Sequence, residues 1–163
     1  MATIVGTSGG DVIDGTGGAD VIYAGAGADI VDGHRGNDVI CGGNGGDFLQ
    51  GGRGADRLFG QADGPCRGCT AATVYANGDT LDGGPGADLL SGGGGTGGLG
   101  RGRDTVGNFS SSRGVSVSLV ARSVTGNGKD TLRSIENAAG SRHADTLIGT
   151  RRNNYLAGFG GRT

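Results

Sequence analysis

An aspartate recurs at every ninth residue along the first third of the chain: Asp11, Asp20, Asp29, Asp38, Asp47 and Asp56. A short carboxylate at a fixed interval suits two chemistries, the capping of turns and the ligation of a hard cation. The acid usage is one-sided, because fifteen of the 16 acidic residues are Asp and only Glu136 is Glu. A merely solvated surface mixes the two. The same interval carries glycine two residues before each Asp, at Gly9, Gly18, Gly27, Gly36, Gly45 and Gly54, and an aliphatic residue two after it, at Ile13, Ile22, Val31, Ile40, Leu49 and Leu58. Written in nines, residues 6–59 read GTSGGDVID, GTGGADVIY, AGAGADIVD, GHRGNDVIC, GGNGGDFLQ and GGRGADRLF.

Two kinds of element must position these carboxylates. The first six residues of a unit are turn-like, since glycine permits positive φ and close backbone approach. The last three alternate as a very short strand. Two units make one coil of 18 residues, so units n and n+2 stack with strands about 4.8 Å apart. Eighth-position aliphatics then point inward between two opposing sheets. Seventh-position Val and Ile lie on the outer faces, where branching favours strand. The 41 glycines, 31 of them in residues 1–100, are thereby placed rather than scattered. A disordered linker explains none of the aliphatic periodicity.

The period breaks after Gly60 and returns at Asp79, 23 residues beyond Asp56, so a loop over about 60–76 is expected. A full unit follows at 83–91, GGPGADLLS, with Asp88. Residues 92–100, GGGGTGGLG, put Gly97 where Asp belongs, and this degenerate unit is expected to end the first array, 1–100.

Such a coil does not stabilise itself. Each unit fully buries about one aliphatic side chain, worth roughly 1.5–3 kcal/mol, against the entropy of ordering nine glycine-rich residues. Stacking also brings like carboxylates close together. A divalent cation would answer both problems, and oxygen-only ligands, carboxylates with turn carbonyls, suit Ca²⁺ better than zinc or copper.

The units resemble the RTX, or haemolysin-type, calcium-binding repeat of pattern GGxGxDxUx. The resemblance implies an all-β, right-handed parallel β-roll, a solenoid of nonapeptides, with Ca²⁺ between the turns of units n and n+2. It implies one ligand column of Asp11, Asp29, Asp47 and Asp79, a second of Asp20, Asp38, Asp56 and Asp88, and turn-backbone ligands near Gly9, Gly18, Gly27, Gly36, Gly45 and Gly54. Three gaps per column set an upper expectation of about six ions. Ala24 in place of a first-position glycine and Gly97 in place of Asp depart from the pattern.

Residues 101–139 leave the register and read as a strand-rich spacer. Asp104-Thr105-Val106 resembles a strand end, residues 115–119 (VSVSL) alternate as a strand with one buried face, and 130–137 follow a Gly-Asn-Gly turn. A second, short and incomplete block occupies 140–163. Its units GSRHADTLI and GTRRNNYLA offer Asp145 as a further ligand, Asn154 as a neutral one, and Leu147 and Leu156 as inward residues.

Other chemistries find less support. Residues 1–100 carry twelve Asp against four Arg, and 101–163 carry ten Lys and Arg against four acids. The acidic part suggests a cation partner. The basic residues are Arg scattered singly, which reads as a solvated surface and not a nucleic-acid face. No apolar run reaches the length of a membrane span. No basic-then-apolar leader follows Met1, which leaves the export route unspecified. Cys66 and Cys69 form a lone CxxC, short of the ligands zinc needs, and are expected as a local disulfide or free thiols, with Cys41 unpaired. Neither HExxH nor GxSxG occurs, and His34 and His143 sit at turn positions. The expected function is a calcium-binding, non-catalytic module that folds on meeting Ca²⁺ outside the cell. The alternatives are a calcium-binding fragment of a larger secreted enzyme or toxin, and a structural or adhesive surface spacer. No feature names a protein partner.

Overall fold

Alternation of an inward aliphatic with outward neighbours, three residues at a time, yields strands too short to stand alone. They persist because each pairs with a copy 18 residues away. The computed structural model describes residues 2–60, 78–93 and 103–160. The described residues form sixteen strands: β1 (Ala2–Val5), β2 (Val12–Asp14), β3 (Asp20–Ala26), β4 (Ile30–Asp32), β5 (Val39–Asn44), β6 (Phe48–Gln50), β7 (Arg57–Phe59), β8 (Thr80–Asp82), β9 (Leu89–Ser91), β10 (Thr105–Val106), β11 (Ser116–Ser118), β12 (Ser123–Thr125), β13 (Lys129–Arg133), β14 (Asn137–Ala139), β15 (Thr146–Ile148) and β16 (Leu156–Ala157). None of the described residues is helical, and no described helix could cross a membrane.

From β1 to β10 successive strands alternate between two sheets, which makes the fold a parallel β-roll. One sheet runs β1-β3-β5-β7-β9-β13-β12-β11-β15 and the other β16-β14-β10-β8-β6-β4-β2. The ladders are parallel except around β12, which pairs antiparallel with β11 and β13. The strand-rich stretch after residue 103 therefore extends both sheets, with β10 on β8 and β13 on β9.

The register stacks the eighth-position residues. Ile22, Ile40, Leu58, Leu90 and Leu132 are partners in the first sheet. Ile13, Val31, Leu49, Leu81, Val106 and Ala138 are partners in the second. All are buried in one continuous core, joined by Val115, Val117 and Leu119 as the alternation predicts. Seventh-position Val12 and Ile30 are exposed, whereas Phe48 is stacked against Phe109. Leu147 packs only partly against the core. Leu156 is exposed, contrary to the inward placement expected, because β16 is the edge strand of its sheet among the described residues.

Leu58 is fully buried between Ile40 and Leu90. Leu58→Ala should cost about 2–5 kcal/mol, since thin coils held by neighbours collapse poorly into a cavity. Urea unfolding in millimolar calcium measures it.

Cys41 is buried beside Phe59 and is disulfide-bonded, which corrects the expectation that it stays unpaired. Its strand partner Phe59 is one residue from Gly60, where the inserted loop departs, so this face lies beside that loop's origin. The expected loop, its Cys66–Cys69 clip, and Gly97 lie outside the described residues.

Candidate metal centre

Each unit places its Asp where the turn enters the strand, so the strand ladder sets the separation of successive carboxylates. The backbone N–H of one Asp donates to Oδ1 of the Asp one coil on. In one column Asp11 donates to Asp29 at 2.8 Å, Asp29 to Asp47 at 3.0 Å and Asp47 to Asp79 at 2.9 Å. In the other Asp20 donates to Asp38, Asp38 to Asp56 and Asp56 to Asp88, each at 2.8 Å. The columns continue beyond the strict nonapeptides. Asp79 donates to Asp104 at 2.8 Å, Asp104 to Oε2 of Glu136 at 3.1 Å, and Asp88 to Asp130 at 3.2 Å.

A strict count of nine does not place Asp104, Asp130 and Glu136 in the columns. Gly92, a first-position glycine, faces Oδ2 of Asp104. Asp104 thus fills the place that a strict count of nine assigns to Gly97. The triads Asp104-Thr105-Val106 and Asp130-Thr131-Leu132 match Asp79-Thr80-Leu81 and Asp145-Thr146-Leu147, and that match is the signal that could have found them. Asp145 stands apart from both columns and accepts from the N–H of Val115 at 2.9 Å.

The second oxygen of these carboxylates is the unusual one. Oδ2 of Asp29, Asp38, Asp47, Asp56, Asp79 and Asp88 is buried and has no hydrogen-bond partner. A buried carboxyl oxygen without a partner is costly and calls for an explanation. Beside Oδ2 of Asp38, Asp47 and Asp56 the space is small and lined with oxygen. A methyl group on Gly33 would come 2.6 Å from Oδ2 of Asp38 and 2.7 Å from the carbonyl oxygen of Gly51. On Gly51 it would come 2.6 Å from Oδ2 of Asp56 and 2.9 Å from the carbonyl oxygen of Gly83. Oxygen donors of this kind fit Ca²⁺. No three His, Cys, Asp or Glu side chains converge among the described residues. A cation here would therefore draw on carboxylates of two coils and on turn carbonyls. Of the fourth-position glycines, Gly27, Gly36, Gly45 and Gly54 have positive φ, whereas Gly9 and Gly18 are not among the positive-φ residues.

The electrostatics agree. Burial raises the Asp47 and Asp56 carboxyls to about 6, with the like charge one coil away adding to it. Burial, with the neighbouring Asp104 or Asp130, raises Asp79 and Asp88 to about 8. Burial likewise raises Asp130 to about 6, and Asp29 and Asp38 above their ordinary value. Backbone N–H donors offset part of each shift.

A parallel β-roll whose turns stack carboxylates in this way defines a calcium-binding solenoid module. The RTX calcium-binding nonapeptide repeat matches residues 5–40, 42–63, 75–106 and 140–162, more than half of the chain, and the chain belongs to that family. Comparison with curated proteins finds no match.

His34 holds a second-position turn site with φ of 68°, the left-handed conformation that Gly25, Gly43, Gly52 and Gly84 adopt in other units. Its ring lies 3.7 Å from Asp14 and 3.5 Å from Asp32. Both contacts are largely solvated, so they offset little of the left-handed strain. His34→Gly should therefore stabilise the calcium-loaded roll by about 1 kcal/mol. Thermal unfolding of the two proteins side by side measures it.

Proposed function

We propose that this chain is a non-catalytic module that folds on binding several calcium ions outside the cell. The six buried, unpartnered Oδ2 atoms support the reading. They are carboxyl oxygens, those of Asp38, Asp47 and Asp56 lie beside turn carbonyls, and a hard divalent cation is the partner their chemistry lacks. The ligands proposed for it are the carboxylates of Asp29, Asp38, Asp47, Asp56, Asp79 and Asp88 with glycine-turn carbonyls. Extracellular calcium modules bind at about 10⁻⁴–10⁻³ M. A chain of this affinity stays empty in a low-calcium cytosol and fills after export. Catalysis has little to work with: His143 is tied by its backbone to Ser141, and His34 lies among solvated carboxylates.

Equilibrium dialysis tests the reading. The protein should hold several ions in millimolar calcium and markedly fewer in equimolar magnesium, whose octahedral shell tolerates these turns poorly. A protein that holds no calcium at millimolar concentration would overturn it.

A further inference from the structure

The nonapeptide pattern alone puts calcium in six gaps, 11/29, 29/47, 47/79, 20/38, 38/56 and 56/88. We infer that the ladder of ions is displaced by one coil: the 11/29 and 20/38 gaps are closed, and 79/104 and 88/130 are open. This rests on the calcium reading above and refines which residues serve it.

In every gap the decisive atom is Oδ2 of the earlier Asp, because its neighbour in the following coil already spends Oδ1 on that Asp's own N–H. At Asp11 this atom is taken. It accepts from the N–H of Thr7 at 2.6 Å and from the Thr7 hydroxyl at 2.9 Å. Asp20 is held in the same way by Thr16, at 2.6 and 2.9 Å. Two donors on one carboxylate oxygen supply from within the turn much of what a cation would supply. The second residue of the unit makes the difference. Where it is left-handed, at Gly25, His34, Gly43, Gly52 and Gly84, the Oδ2 of that unit stays unpartnered. Where it carries a hydroxyl, the turn closes on its own acid. The later block obeys the same rule. Ser141 donates to both oxygens of Asp145, at 2.8 Å to Oδ2 and 2.7 Å to Oδ1, and Thr150 donates to Oδ1 of Asn154 at 2.6 and 3.0 Å.

At the other end the pattern reverses. Asp79 and Asp88 have no later nonapeptide above them, yet Oδ2 of each is buried and unpartnered, and the residues themselves are 0% and 3% exposed. The coil above is supplied by Asp104 and Asp130, which accept the N–H groups of Asp79 and Asp88. Two calcium sites therefore lie where the strict count of nine has lapsed, and Asp11, Asp20 and Asp145 serve as self-closed caps.

Counting bound calcium in the full chain decides this, by equilibrium dialysis at saturating calcium for wild type, D11N/D20N and D79N/D88N. Asn keeps a side-chain oxygen that can accept the N–H of the neighbouring coil. D11N/D20N should hold the wild-type number, and D79N/D88N about two ions fewer. Loss of ions from D11N/D20N overturns the closed gaps, and a wild-type count in folded D79N/D88N overturns the open ones. The D11N/D20N arm reads out even if D79N/D88N does not fold. A wild type with no calcium refutes the calcium reading itself, a different outcome from either.

Discussion

Gly54→Val should abolish the folded roll even at saturating calcium. Gly54 has φ of 150° and its N–H donates to the Pro85 carbonyl at 3.1 Å. It is bridged to Gly86, which is bridged in turn to Gly128, so three coils meet here backbone to backbone. A Cβ at Gly54 would strike the Gly36 carbonyl, and the obstacle is main chain that cannot rotate away. The disfavoured φ and the displaced coil together should cost about 3–5 kcal/mol, a large part of the margin of an ordinary domain. Gly17 provides the control. A Cβ there meets nothing within 4 Å, so Gly17→Ala should stay within about 0.5 kcal/mol of wild type. Far-UV circular dichroism in calcium compares the two. A folded Gly54→Val protein would show that the coils are not packed at this distance.

Acidity should act on the empty and loaded proteins in opposite directions. Asp47, Asp56 and Asp130 are raised to about 6 and Asp79 and Asp88 to about 8, from an ordinary value of 3.8. Groups raised on folding bind more protons folded than unfolded. Their contribution to stability is fully present below about pH 4 and is lost as pH rises through about 6 to 8. The calcium-free roll should accordingly be most stable in mild acid and weakest near pH 8. Calcium displaces the same protons, so the calcium concentration needed for folding should fall as pH rises over that window. Far-UV circular dichroism of calcium-depleted protein at about pH 5 and about pH 8, with calcium titrations at both, measures the two trends. A calcium-free protein that gains stability toward pH 8 would contradict the assignment of these carboxylates as buried and cation-seeking.

The spacing of the first six units made much of this legible. Inward Ile13 through Leu58 and the two Asp columns follow from a period of nine folded twice into a coil. Counting failed where the chain keeps the coil but changes its length. Asp104 stands twelve residues after Gly92 instead of five, so a reading in nines lands on Gly97. Asp130 is hidden behind the antiparallel β11–β12 pair, which inserts two strands into an otherwise parallel sheet. The hydroxyls of Thr7 and Thr16 were visible as residues, but their hold on Asp11 and Asp20 depends on a turn conformation that composition does not reveal. Burial of Cys41 belongs to the outer face of the first sheet, where ninth-position residues pack beyond the reach of the core pattern.

The central claim is that bound calcium supplies the stability this thin core lacks. A far-UV circular dichroism titration of the full chain, from excess chelator to millimolar calcium at neutral pH, tests it most directly. The account predicts a largely unfolded spectrum in chelator and a cooperative gain of β signal as calcium rises. A β spectrum already complete in chelator, or no gain at millimolar calcium, would contradict it.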